Sequence, residues 1–245
     1  MDKNKAFVEQ LLAWFSVNGR ALPWRSETSP YRILVTEKLL QQTTYGHVLK
    51  VYDHFFTKFP DIQSLAEAEV SDIENAIKRL GFQRQRAEQL KRMASQILAE
   101  FCGKIPSNKE DLLKLKGVGN YISNAVLCFA FNMGKPVVDM NVRRVVKRYF
   151  GWKGGDREIE KKLEKLIPPE KAKQFNWGII DFSAAICSRK PKCKKCFLSD
   201  YCSHFKLVTT ASYHSKPPGP NPMTLIRGPN SISGVLRGGK RGKKK

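Results

Sequence analysis

Acidic side chains are scarce in this chain of 245 residues: Asp and Glu number 22 against 44 Lys and Arg, a formal net charge of +22. That imbalance points to a polyanionic partner, nucleic acid first and an acidic membrane surface second. From residue 203 onward there is no Asp or Glu, while nine Lys and Arg, five Pro and six Gly are present. The body before it is therefore basic in its own right. Segment 206–245 is expected to be a disordered arm, its closing RGGKRGKKK suited to non-specific phosphate contacts or to solubility alone. Long apolar runs are also missing, and no stretch reaches the roughly 18–20 residues of a membrane span. The opening MDKNKAFVEQLLAWF breaks its apolar run with Glu9 and Gln10, which argues against a secretory signal. Paired alternating runs joined by a tight turn do not occur, and neither does an internal repeat.

Helical periodicity fills the space those absences leave, so the fold class is all-α. Phe7, Leu11, Leu12, Trp14 and Phe15 form the apolar face of a first helix, which LPWR ends. Ser29 and Pro30 supply an N-cap and an N1 proline for the next, carrying Ile33, Leu34, Glu37 and Leu40. Further helices are expected from TTYGHV to Pro60, from a Ser71 cap to Gly81 and over 86–101. Others follow a Ser107–Glu110 capping box, Gly119, and Asn141 as a cap, and the last long one is PPEKAKQFNWGIIDFSAAIC. The stretch after Gly119 is apolar enough to be a buried helix.

Six cysteines in a chain expected to be cytoplasmic suggest metal binding or burial before disulfides. Cys187, Cys193, Cys196 and Cys202 are spaced C-x5-C-x2-C-x5-C, so four thiolates can close round one centre. Zinc ribbons present two Cys-x-x-Cys knuckles and this run has one. A compact loop with a single knuckle favours a cubane 4Fe-4S cluster, with zinc as the alternative. Arg189, Lys190, Lys192, Lys194 and Lys195 fill the intervals, which makes the loop a phosphate-reading surface. Cys102 and Cys128 lie on apolar helical faces and read as core.

Gly117, Val118 and Gly119 lead into the apolar helix. Glycines there let the backbone turn and bare its N–H groups beside a helix N-terminus, an anion site suited to a DNA phosphate. Alone, the tripeptide reads equally well as a plain helix connector. Joined to a preceding LLKLK, Asp139 about twenty residues on, and the cysteine loop, it resembles the helix-hairpin-helix DNA glycosylases. The matching pieces are LPWR, SPYRILVTEKLLQQTT, RAEQL, LKGVGNY, VVDMNVRRV and the cysteine run, in family order over about residues 5–205. The resemblance implies two helical lobes. Residues 28–135 would form a helical barrel with the DNA-binding hairpin, and 1–27 with 136–205 the cluster lobe. Double-stranded DNA with a mispaired, flipped base would sit between them. It also implies base excision repair by a monomer at a prokaryotic nucleoid.

Carried over by that resemblance, Asp139 is the catalytic carboxylate. This fits the chemistry, because cleaving an N-glycosidic bond builds positive charge on the deoxyribose. Tyr121 stands where bifunctional members resembling endonuclease III hold a lysine. A tyrosine cannot form a Schiff base, so a monofunctional enzyme is expected. Mismatch-specific thymine glycosylases of the family use Tyr there and adenine glycosylases usually Ser. Glu37 matches a residue that reaches the target base, and Gln41 and Gln42 match side chains that fill the hole it leaves. The spelling QQT is that of adenine glycosylases, whereas TTxGHV and DFSA belong to thymine glycosylases. Tyr45 and Trp177 fall near the base pocket and are bulkier than in either subfamily, fit to stack on the base or to narrow the pocket toward a pyrimidine. The leading expectation is removal of thymine or uracil opposite guanine. The alternatives are an adenine glycosylase, which usually continues into a further domain that 206–245 is too short and polar to form, and a non-catalytic DNA-binding protein.

Overall fold

Ser29 and Pro30 start the helix that carries half of the site. The Ser29 hydroxyl accepts from the Arg32 N–H at 3.4 Å, and Pro30 occupies the first helical position, where no N–H is needed. In the computed structural model, which describes residues 2–214, this helix is α2 (Pro30–Leu40). It follows α1 (Lys3–Asn18) and precedes α3 (Tyr45–Lys58), α4 (Ile62–Glu67), α5 (Val70–Ala76) and α6 (Gln83–Phe101). Then come α7 (Lys109–Lys114), α8 (Asn120–Phe129), α9 (Met140–Phe150), α10 (Asp156–Glu164), α11 (Ala172–Ala185) and α12 (Ser203–His214). No strand occurs among the described residues, so the chain is all-α.

Two apolar cores organise these helices. Leu34, Phe55, Leu65, Ile97 and Val126 belong to the first, built from α2 to α8. Phe7, Leu11, Val145, Phe175 and Phe182 belong to the second, where α11 packs on α1 and α9. Each such side chain contributes about 1.5–3 kcal/mol when fully buried. Gly178 allows α1 to approach α11, because a Cβ there would stand 3.3 Å from Leu11 and 3.4 Å from Phe15. Helix α8 is the seam: it gives Val126 to the first core and Ala125 and Phe129 to the second, and Tyr121 packs against both.

Several helix starts differ from the sequence expectation, the first two below because a better oxygen was at hand. Asn108 rather than Ser107 caps α7, its Oδ1 accepting from Asp111 N at 2.9 Å. Asp139 rather than Asn141 caps α9. Ser71 lies inside α5, whose cap position is Glu69. Helix α12 takes up residues 206–214 of the segment expected to be disordered; they contain no Pro or Gly, which begin at Pro217. The chain divides after Val208 into two units, and 215–245 lie outside the described residues.

One buried charge cluster ties the α1–α2 connection to α11. Asp181, 2% exposed, accepts from Arg20 and Arg25 in five hydrogen bonds of 2.5–2.8 Å. Burial alone would raise its pKa, but the bonds from Arg25 and Arg20 outweigh it and hold the carboxyl below its usual value of 3.8. Its stabilising effect is thus present above that pH and lost as pH falls through the lower folded value. Asp181→Asn leaves two guanidinium groups without their anion, so a loss of about 3–5 kcal/mol is expected at pH 7. Denaturant melts should show that gap shrinking in acid. An equal gap at pH 7 and below pH 3 would contradict the ion-pair account.

Candidate active site

Two cavities meet at the seam. The larger, about 530 Å³, is lined by Gln41, Gln42, Phe82, Arg86, Gly117 and Lys38 among others. The smaller, about 350 Å³, is lined by Arg20, Arg25, Thr44, Tyr45, Asn141 and Trp177 among others. Glu37, Tyr121 and Asp139 line both. Residues 37, 121 and 139 are thus brought together from α2, α8 and the start of α9.

Asp139 is held from three directions. Its Oδ1 accepts from the backbone N–H groups of Asn141 at 2.9 Å and Val142 at 2.7 Å, and its Oδ2 from Asn141 Nδ2 at 2.7 Å. The carboxylate therefore sits on the positive end of α9 with one face left to the cavities. Asn141, read from the sequence as a cap, instead braces the carboxylate. Its own Oδ1 accepts from Arg144 Nη1 at 2.9 Å, and Arg144 donates onward to the carbonyls of Cys187 and Ser183. The brace runs from the carboxylate to the first cysteine of the loop.

Glu37 is the perturbed acid. It is 5% exposed, and its Oε2 is buried without a hydrogen-bond partner among the described residues. Desolvation raises its pKa to about 7; the Tyr121 hydroxyl opposes the shift by favouring the anion, and the charge of Asp139 adds to it. The Tyr121 phenol is driven well above its usual value by burial and by both carboxylates, so it stays a neutral hydroxyl.

The Gly-Val-Gly turn divides its labour. Gly117 has φ +76°, and a Cβ there would stand 2.7 Å from Lys38 Nζ. Gly119 is extended, φ −100°, and its conformation demands no glycine, but nothing lies within 4 Å of where its Cβ would be. That open side bares the start of α8, which has no side-chain cap and no acid in its first turn. Val118 is buried and anchors the turn.

Tyr45, half-exposed, carries the Arg20 guanidinium 4.5 Å from its ring centroid. Trp177 stacks on Phe129 at 5.2 Å and has Arg25 at 5.5 Å. Both aromatic walls of the smaller cavity are thereby backed by the two arginines that Asp181 fixes. Nothing local in the sequence marks Phe82 or Lys38 as part of a site, yet both line the larger cavity. Phe82 is 70% exposed at φ +48° beside the larger cavity, and Gln42, on the same cavity, is also left-handed at φ +51°. A phenylalanine preceding QRQR gives no sign of that strain, though the neighbouring Gly81 is a hint.

Cys187, Cys193, Cys196 and Cys202 line one small, apolar cavity walled by Val145, Phe182 and Leu198, and all four are free thiols. No group of three or more His, Cys, Asp or Glu among the described residues is arranged to hold a single metal ion. Arg148 Nη1 lies 3.7 Å from Cys187 Sγ. Arg189, Lys192, Lys194 and Lys195 are exposed and line neither of the two cavities.

Glu37 makes a testable demand on stability. The folded chain keeps its proton up to about pH 7, whereas the unfolded chain releases it near 4.5. The stabilising effect of that extra proton is complete below pH 4.5 and lost as pH rises through 7, on the order of 3 kcal/mol in all. Glu37→Gln is neutral throughout and should melt like wild type at pH 4.5 but hold more stability at pH 8. A stability difference independent of pH would contradict the assignment.

The pattern of HhH-GPD superfamily base excision DNA repair proteins matches residues 35–169. The chain is 42% identical over 214 residues to the thymine/uracil-DNA glycosylase of Methanothermobacter thermautotrophicus, spanning 85% of this chain and 97% of that one. It is similar in structure to a thermostable thymine-DNA glycosylase, with a TM-score of 0.81 at 41% identity over 84% of this chain and 97% of the other. Endonuclease III trapped as a covalent intermediate on DNA gives 0.75 at 26% identity, over 85% and 99%. The chain belongs to the HhH-GPD superfamily of base excision DNA repair proteins.

Proposed function

We propose that this chain is a monofunctional DNA glycosylase that hydrolyses the N-glycosidic bond of thymine or uracil mispaired with guanine. The observation that carries this is the meeting of a fixed carboxylate, Asp139, with a neutral phenol, Tyr121, and a protonatable Glu37 at one seam. The relatives' thymine and uracil specificity supports the choice of base.

As the bond from C1′ breaks, its electron pair leaves with the base and the sugar becomes an oxocarbenium-like cation. Asp139, already oriented by α9, stabilises that cation without reorganising. Water then adds at C1′ and passes its proton to the Asp139 carboxylate, and the departed base anion takes up a proton in turn, so that one water is split between sugar and base. A departing pyrimidine carries its charge on ring oxygens, so hydrogen-bond donors suffice to stabilise it. Glu37 below its pKa, the Tyr121 hydroxyl and Arg20 are such donors beside the smaller cavity. Tyr45 and Trp177 are its aromatic walls and the surfaces on which a flat base would stack. Adenine leaves well only when its ring is protonated, which would make Glu37 an obligatory acid; its raised pKa, with the QQT spelling, favours an adenine glycosylase as the second reading.

Gly117, Val118 and Gly119, with the start of α8, are read as a phosphate site on the DNA strand. Gln41, Gln42 and Phe82 then stand where the gap left by the extruded base must be filled, and Arg189, Lys192, Lys194 and Lys195 contact the backbone further out. The two cores are taken as two lobes that grip duplex DNA as a monomer. The four cysteines are read as ligands of a 4Fe-4S cluster, with zinc as the alternative: they line one apolar cavity, and their run carries a single Cys-x-x-Cys knuckle. Such a cluster would order the loop and its lysines and supply no step of base removal.

Excision from a panel of mispaired duplexes tests the base choice. G·T and G·U should be cut well above A·G, and only after hot alkali. Faster release of adenine would replace the thymine and uracil assignment. Tyr121→Lys should gain strand nicking that borohydride traps, whereas trapping by wild type would refute the monofunctional assignment. Anaerobically purified protein should be yellow-brown and hold roughly four iron atoms per chain; a colourless, active protein with one zinc would overturn the cluster.

A further inference from the structure

Lys38 is a lysine in the wrong place for a solvated charge. It lies on α2 next to Glu37, is 5% exposed, and lines the larger cavity. Its ammonium has three protons to place, and three oxygens from three separate elements receive them. Gln41 Oε1, at the end of α2, accepts at 2.9 Å; the carbonyl of Gly117, in the hairpin turn, at 3.0 Å; and Gln89 Oε1, on α6, at 3.4 Å. All three acceptors are neutral, and no ion pair within 4 Å among the described residues includes Lys38. The nearby cation is Arg86, which also spends its donors on neutral oxygens: the carbonyls of Gly81, Lys38, Leu39 and Gln41.

This arrangement costs stability. Burial and the charge of Arg86 both push the Lys38 amine below its ordinary pKa. An apolar side chain would fill the site on α2 more cheaply, as α2 is otherwise buried along Ile33, Leu34, Val35 and Leu39. A feature that costs folding free energy and joins three elements at the lip of a functional cavity calls for a role in function. What it joins is informative. Gln41 is held at both ends, its carbonyl by Arg86 and its side chain by Lys38, and the next residue, Gln42, is held in the left-handed region. Gly117 is the residue whose missing side chain lets Lys38 Nζ reach the turn.

We propose that Lys38 is a positioning residue that locks Gln41 to the phosphate-binding hairpin turn, so that grip on the DNA backbone sets the side chains that fill the gap left by the extruded base. The inference rests on the glycosylase reading of the cavity. It assigns Lys38 no contact with the reacting atoms: its three protons are taken, so it neither attacks C1′ nor protonates the base.

The test compares wild type with Lys38→Met, which keeps an unbranched stem of similar length without the charge. Single-turnover release of uracil is measured from a G·U duplex and from a duplex in which uracil faces an abasic site, where no partner holds the base in the stack. Unstacking is followed on the same duplexes by the fluorescence of a 2-aminopurine beside the lesion. Lys38→Met should melt at or above the wild-type temperature and bind undamaged duplex within about threefold, since the hairpin N–H groups remain. Release and unstacking from G·U should fall at least tenfold, and the defect should shrink below threefold opposite the abasic site. An equal defect on both duplexes, or none on G·U, overturns the proposal. Gln89→Leu, which removes one acceptor and leaves the lysine in place, should show the same pattern at roughly threefold and decides the matter if Lys38→Met does not fold. A wild type that unstacks G·U without releasing uracil would refute the glycosylase reading alone, and the unstacking comparison would still judge Lys38.

Discussion

The carboxylate of Asp139 on the open end of α9 is the interaction on which the site depends. A helix must satisfy its first N–H groups, and here a single side chain takes two of them and a third donor from Asn141. The cap that starts the helix therefore also fixes a negative charge against two cavities. Because Asn141 is in turn braced by Arg144, and Arg144 by the carbonyls of Cys187 and Ser183, that charge is referenced to the cysteine loop and α11 as well as to its own helix. Orientation of this kind is what electrostatic stabilisation of a transition state requires, since the dipoles are spent before the reaction begins.

The second determinant is the seam made by α8. Tyr121 packs against both cores, so its hydroxyl is placed by the first core, the second, and the turn before it. Glu37 comes from α2, which α8 also contacts, and its carboxyl is dry enough to hold a proton near neutral pH. The two carboxyl groups differ in their hydrogen-bond partners. Asp139 has N–H donors for its charge, whereas Glu37 has a buried oxygen with nothing to bind. The smaller cavity beside them owes its aromatic walls to a remote cause, the buried Asp181 that fixes Arg20 against Tyr45 and Arg25 against Trp177.

Much of this was legible in the residues. Helix periodicity and Ser29-Pro30 place α2, the apolar run after Gly119 places α8, and the cysteine spacing marks its loop. Other features depend on distance in space rather than in sequence. The Arg20, Arg25 and Asp181 cluster joins residues more than 150 apart, and no local pattern signals it. Nothing local to Lys38 signals that the hairpin turn and α6 close over it. The helix starts expected at Ser107 and Asn141 lie at Asn108 and Asp139, because neighbouring Asn and Asp are equally good caps and the choice rests on tertiary contacts. Gly117 and Gly119 look alike in sequence, yet only the first has a left-handed backbone; the second matters for the space it leaves.

Asn is as good a helix cap as Asp, so Asp139→Asn separates the structural role of this side chain from its charge. Single-turnover release of thymine from a G·T duplex, measured beside duplex affinity and melting temperature, is the direct test. The account predicts that release falls by roughly 10²–10³ or more while affinity and melting temperature hold. Release within a few fold of wild type, or a parallel collapse of folding and binding, would contradict it and leave Asp139 as a cap and no more.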